Sequence, residues 1–311
     1  MFFIGNGYLG FRGNFEEGLS GEKENGLDGT YINGFYDTEV IKYGEIAYAF
    51  SEKGQTMLNV TNSKIIELFI GDEEFNMQKG NLEEYKRVLS FQEGILSRRL
   101  TWCSPQGKRV KIDIQRLASL KYKHQAVISY EVTHLNFSGE IRLVSVLDGN
   151  VKNITVENDP RVGSGLQGRV LSVERKQIDA EFGMLVQKTK NSELSLACAM
   201  LNQLETKNKY SVNPIEEEMA VKTEFIIESE EDQPIKLKKF ISYVTSLDCE
   251  EDKLEETIKD LIIEARSCGF ESIKTEVGRF GLRLKPPKVF QSRSYHLSYF
   301  LQCLDFEYIV R

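Results

Sequence analysis

Gly5-Asn6-Gly7-Tyr8-Leu9-Gly10 spells G-x-G-x-x-G near the start of the chain, and Asp28 follows at about the distance where an acid grips a ribose in a dinucleotide fold. That chemistry needs a strand entering the glycines and a helix leaving them, so that free helix N–H groups face a pyrophosphate. Only four residues precede Gly5, and Gly10-Phe11-Arg12-Gly13-Asn14 stands where the helix should begin. No alternation of strand and helix surrounds the motif. The glycines are therefore read as structural. They permit positive φ and close packing, while Asn6 and Arg12 hydrogen-bond locally.

The other chemistry-bearing groups are sparse or scattered. Three histidines occur, His124, His134 and His296. Glu131-Val132-Thr133-His134 spells E-x-x-H, which gathers metal ligands on a helix. In a strand, positions three apart point to opposite faces. Cys103, Cys198, Cys249, Cys268 and Cys303 are odd in number, with no C-x-x-C pair, so neither a disulfide framework nor a zinc site is expected. Asp148-Gly149-Asn150 reads as a turn rather than a reactive corner. Neither G-x-S-x-G nor G-x-x-x-x-G-K-[S/T] occurs. Carboxylates abound, but a glycosidase-like pair is defined by its separation in space. No catalytic, cofactor-binding or metal-ligating residue is assigned.

The 311 residues carry a net charge of −7, with 41% hydrophobic residues. An acidic chain lacks the basic face that nucleic acid requires. No apolar run is long enough to span a bilayer, and Met1-Phe2-Phe3-Ile4 has no basic lead. A cytoplasmic location is expected, which makes the N-x-[S/T] matches at Asn59, Asn136 and Asn153 accidental.

The elements that would position these residues are mostly strands. Residues 1–62 are rich in glycine and aromatics, which favours tight irregular backbone. Strands are expected at 64–70, 95–102, 109–117, 126–133, 140–147, 168–173, 183–189, 194–201, 219–227 and 235–245. Their spacing without intervening helices predicts a large antiparallel sandwich. Leu254, Ile258, Leu261, Ile262 and Ala265 then form one apolar helical stripe, with acids at its start and Gly269 as its stop.

Two stretches taken together, Gly5-Asn6-Gly7-Tyr8-Leu9-Gly10-Phe11-Arg12-Gly13 and Gly29-Thr30-Tyr31-Ile32-Asn33-Gly34-Phe35-Tyr36-Asp37, strongly resemble the N-terminal domain of glycoside hydrolase family 65. Leu58-Asn59-Val60-Thr61-Asn62, Met77-Gln78-Lys79-Gly80, Leu147 to Asn153 and Asp159-Pro160-Arg161 extend the likeness, which runs from Phe3 to about Glu276. The resemblance implies a β-supersandwich of the galactose mutarotase type over 1–247, then a helical linker over 248–277. In the family an (α/α)6 barrel follows. There a glutamic acid protonates the glycosidic oxygen while inorganic phosphate, the co-substrate, attacks the anomeric carbon with inversion. No metal or organic cofactor is implied.

The catalytic residues of the family lie in that barrel, so none carries over to this sequence. Residues 278–311 hold six Arg or Lys against two acids. They read as a shifted frame or truncation at the start of the barrel region, with a genuine extension as the alternative. The expected role is the N-terminal, non-catalytic domain of an inverting disaccharide phosphorylase, inactive alone, with a homodimer as partner arrangement. Asn6, Tyr8, Arg12, Tyr31 and Tyr36 are the candidates for a loop facing the barrel or lying near the sugar. A stand-alone carbohydrate-binding module is the rival reading, with Tyr31, Phe35, Tyr36 and Trp102 as stacking candidates. A mutarotase-like enzyme and a nonfunctional remnant complete the alternatives.

Overall fold

Arg109–Ala118 shows how the strands arise. Val110, Ile112 and Ile114 are buried and alternate with more exposed Lys111, Asp113 and Gln115, as a strand with one wet face requires. The alternation stops at Arg116-Leu117-Ala118, all buried, because helices cover the outer face there. The computed structural model describes residues 2–18, 28–41, 48–153, 166, 168–283 and 308–310. Residues 284–307 of the expected tail, including His296 and Cys303, lie outside the described residues, as does Asp159-Pro160-Arg161.

In chain order the strands are β1 (Phe3–Gly5), β2 (Leu9–Arg12), β3 (Thr30–Ile32), β4 (Tyr36–Val40), β5 (Lys53–Met57), β6 (Ile66–Ile70), β7 (Glu73–Glu74), β8 (Asn81–Ser90), β9 (Ile95–Cys103), β10 (Arg109–Ala118), β11 (Gln125–His134) and β12 (Gly139–Asp148). There follow β13 (Leu171–Asp179), β14 (Phe182–Thr189), β15 (Ser195–Glu205), β16 (Lys209–Glu216), β17 (Ala220–Ser229), β18 (Ile235–Thr245) and β19 (Tyr308–Val310). A nine-stranded sheet runs β13-β14-β15-β18-β11-β10-β9-β8-β19, and a five-stranded sheet runs β16-β17-β12-β6-β7. A small sheet, β1-β2-β3, and a ribbon, β4-β5, complete the set. The protein is mainly antiparallel β, as its sequence pattern predicts.

The main core lies between the two large sheets. Ile112, Ile114, Tyr130 and Leu237 face Leu68, Leu143 and Phe225 across it. Nine strands are wider than five, so part of the inner face needs another roof. Residues 2–18 supply it over β8–β10, with Ile4, Leu9 and Phe11 joining the same core. A second core forms on the outer face of the nine-stranded sheet. There α1 (Leu254–Cys268) and α2 (Phe270–Arg283) bury Leu254, Ile258, Ile262, Phe270, Ile273 and Val277 against Val127, Ala197, Phe240 and Val244. Gly269, at φ 75°, separates the helices. No helix among the described residues is long and apolar enough to cross a membrane.

The stripe on α1 makes a direct test. Ile262 is fully buried and its neighbour Ile263 is 57% exposed. Ile262→Ala is expected to cost about 2–5 kcal/mol of stability, and Ile263→Ala about 0.5 kcal/mol or less. Urea unfolding of the two variants measures both.

Candidate interaction surface

The β1–β2 turn is closed by one side chain. The Asn6 carboxamide oxygen accepts the Tyr8 and Leu9 N–H groups at 3.1 and 2.8 Å, and Gly7 takes φ 88°. Its nitrogen donates to the Ser119 and Lys123 carbonyls at 2.7 and 2.9 Å. The expected local bonding is present, but the same residue also staples the hairpin to the β10–β11 turn.

Tyr8 continues that junction. Its hydroxyl donates to Asp248 at 2.5 Å, and its ring meets His124 edge-on at 4.5 Å. Lys123 lies 4.8 Å above the ring and 3.0 Å from Asp248. Asp248 also accepts the Thr245 N–H and hydroxyl. Burial and the Asp248 bond push the Tyr8 phenol upward. Burial opposes charge on Asp248, but the bonds from Tyr8, Lys123 and Thr245 outweigh it and hold its carboxyl below the usual range. The proton therefore stays on Tyr8. The arrangement fastens the hairpin to the start of the linker and offers no labile acid at neutral pH.

The other candidates are placed differently. Arg12 and Tyr31 sit on the outer face of the small sheet, with the Arg12 guanidinium 5.8 Å from the Tyr31 ring. Tyr36 opens β4, and its carbonyl accepts the Ser192 hydroxyl at 2.8 Å. Next to it Asp37 is fully buried and accepts the Ser192 N–H at 2.7 Å. Two proposed sugar-stacking residues are enclosed. Phe35 is fully buried, and so is Trp102, which donates to the Lys79 carbonyl at 2.7 Å and packs on Phe75. Neither presents a ring face to solvent.

Acids and cations do converge between the sheets. Arg98 and Arg116 are 3% and 1% exposed, and residues 12–17 close over them. Glu16 pairs with Arg98 at 3.0 Å and with Arg116, while Glu17 grips Arg98 at 2.8 Å. Arg116 also donates to the Asn14 carbonyl at 3.0 Å, and Arg87 donates to the Gly13 carbonyl. Burial works against the Glu16 charge, but Arg116 and Arg98 outweigh it and hold the carboxyl below its ordinary range. These groups neutralise one another, so the cluster works as a clamp for the N-terminal segment. Sequence reading missed it, because no local pattern links Glu16 to arginines 82 and 100 positions away.

The remaining motifs meet at a second junction. Asn62 donates to Asp28 at 2.5 Å, and Lys64 pairs with Asp28 at 3.0 Å. Asn59 accepts the Thr30 N–H at 2.9 Å and donates to the Lys152 carbonyl at 3.1 Å, while Asn153 accepts the Asn59 N–H at 2.9 Å. Asp148 accepts the Asn150 N–H at 2.8 Å in the expected turn. Asp28 is thus part of this junction and not a ribose ligand. Glu131 pairs with Lys236 while His134 is buried against Ser229, on opposite faces of β11 as strand geometry dictates.

A sequence profile described as glycosyl hydrolase family 65, N-terminal domain, matches residues 1–280. An alpha,alpha-trehalose phosphorylase of Thermoanaerobacter brockii is 45% identical over 280 residues, covering 90% of this chain and 36% of that protein. A maltose phosphorylase of Bacillus subtilis (strain 168) is 31% identical over 278 residues, covering 87% and 34% respectively. A solved structure assigned as a kojibiose phosphorylase from human microbiome shares the fold. Its TM-score is 0.74 at 21% identity, over 89% of this chain and 34% of that one. The chain spans about a third of the length of these relatives.

Two predictions follow from the buried charges. Glu16→Gln leaves Arg98 and Arg116 undercompensated and is expected to cost about 3–5 kcal/mol by urea unfolding, whereas Glu83→Gln, at an exposed pair with Arg109, leaves the midpoint unchanged. The second concerns Lys239, fully buried and bonded to the Ile65 and Val146 carbonyls. Burial pushes its pKa down from 10.5 to about 7, and that of Lys64 to about 8. Between the folded and unfolded values the unfolded chain binds more protons, so stability rises with pH and is lost as pH falls toward 7. Above about pH 9 the opposite effect of Cys198, held protonated to about 12, sets in. From pH 7 to 9 the urea midpoint should climb in the wild type and climb less in Lys239→Met.

Proposed function

The chain belongs to the family of glycosyl hydrolase family 65 N-terminal domains, and from that membership we propose that it is the non-catalytic sandwich and linker of an inverting phosphorylase acting on an α-glucosyl disaccharide. The observation that carries this reading is the relation to the Thermoanaerobacter brockii trehalose phosphorylase, 45% identical across 90% of this chain but only 36% of that protein. The reaction needs a proton donor at the glycosidic oxygen and a pocket that holds inorganic phosphate against the anomeric carbon. In this reading both reside in the other two thirds of such a protein, and no metal or organic cofactor takes part.

Two arrangements support the non-catalytic role. The acids and cations between the sheets pair with one another around Glu16, and Tyr8 retains its proton against Asp248. The Asn6 and Tyr8 junction also ties the hairpin to the start of the linker, so the end of the sandwich that bears these residues is a rigid base on which a following domain can sit. Cytoplasmic location and a homodimeric assembly belong to the same proposal.

A domain exchange tests it. Residues 1–280 of this chain replace the corresponding part of the Thermoanaerobacter brockii trehalose phosphorylase. The hybrid is expected to release a sugar phosphate from trehalose and phosphate, while the 311-residue chain alone releases none from trehalose, maltose or kojibiose. Phosphate-dependent sugar phosphate from the chain alone overturns the non-catalytic role, and a folded but inactive hybrid overturns the scaffold role.

A further inference from the structure

The small sheet β1-β2-β3 has one face in the core, formed by Ile4, Leu9, Phe11 and Ile32. Strand alternation puts Phe3, Gly5, Gly10, Arg12 and Tyr31 on the other face. Gly5 and Gly10 are paired across β1 and β2, as are Phe3 and Arg12, and Tyr31 is paired with Gly10. The glycines form a floor. A β-carbon at Gly10 would lie 2.6 Å from the Phe3 ring, and one at Gly5 would lie 2.9 Å from it. A β-carbon at Gly29 would lie 2.5 Å from the Tyr31 ring. Each ring is thus seated on bare backbone, which fixes it and leaves its other side outward. Phe3 remains 48% exposed, a large apolar surface for a side chain so closely seated. Arg12 stands opposite Phe3 and beside Tyr31, and among the described residues its guanidinium has no carboxylate partner.

We infer that this face is a sugar-stacking platform that binds a glucosyl ring of an α-linked saccharide. A pyranose presents a flat face of C–H groups, which packs on an immobilised aromatic face. Its equatorial hydroxyls need donors at the rim, and the Arg12 guanidinium carries five N–H groups in a fixed plane. Glycine at 5 and 10 is required because any side chain there would lift the Phe3 ring off the sheet. The spelling G-x-G-x-x-G thereby acquires a role unrelated to phosphate. The choice of an α-glucosyl saccharide rests on the proposed function. The platform itself rests on Phe3, Arg12 and Tyr31.

Saturation-transfer difference NMR on the 311-residue chain with millimolar maltose or trehalose reads the contact directly. Transfer is expected to the ring C–H protons of the sugar. Phe3→Trp keeps a flat ring and should retain it. Phe3→Leu keeps apolar bulk without a π-face and should weaken binding by about two- to tenfold, as should Arg12→Gln, with urea midpoints showing that all variants fold. Absence of transfer to either sugar in the wild type overturns the inference, as does equal binding by Phe3→Leu and wild type. A dimer that Phe3→Leu converts to monomer, without sugar binding in either form, overturns it in favour of a second copy on this face. An active domain exchange with no sugar contact here refutes the platform alone, and an inactive exchange with sugar contact intact refutes the scaffold role alone.

Discussion

Two arginines inside the sandwich govern how the first residues of the chain must lie. Arg98 and Arg116 project from β9 and β10 into the space between the sheets, where an uncompensated charge costs several kcal/mol. Their compensation comes from Glu16 and Glu17, and Arg116 also donates to the Asn14 carbonyl. Once those bonds are made, residues 12–17 have little freedom. The hairpin that precedes them is drawn across β8–β10, with Ile4, Leu9 and Phe11 pressed into the core. Charge pairing thus fixes the register of a segment whose glycine-rich sequence has weak preferences of its own.

The position of the hairpin then decides the surface of the domain. Its tip reaches the β10–β11 turn through Asn6 and the start of the linker through Tyr8 and Asp248. Its outer face carries the seated rings of Phe3 and Tyr31. The linker follows a parallel logic on the opposite side of the nine-stranded sheet. Over β11, β14, β15 and β18 that sheet is apolar on both faces, so the stripe on α1 and the shorter one on α2 have a surface to bury. The wide sheet is thus covered on one side by another sheet plus a strap, and on the other, over β11, β14, β15 and β18, by helices.

The buried lysines show what such enclosure costs. Lys64 and Lys239 are both fully enclosed and both depressed in pKa, yet each is bonded, Lys64 to Asp28 and Thr30 and Lys239 to two main-chain carbonyls. They tie the five-stranded sheet and the residues leading into it to the rest of the core. Polar pairing of this sort adds little to net stability but penalises any alternative packing in which a partner is withdrawn.

Much of the architecture was legible in the residues themselves. The alternation in β10, β11 and β12 announced strands, and the stripe from Leu254 to Ala265 announced a helix that ends at Gly269. The paired glycine-rich stretches pointed to the family. β8 and β16 escaped notice: Asn81–Ser90 is rich in charge with no buried residue, and Lys209–Glu216 is an edge strand containing Pro214, so neither carries a clear apolar period. The Gly5–Gly10 floor, the Glu16 clamp and the enclosure of Phe35 and Trp102 were not readable at all. Periodicity is set by neighbours two to four positions apart, and that much a sequence states directly. Which carboxylate meets which arginine, and which ring faces water, depends on contacts about a hundred residues apart, and those exist only after the sheets have closed.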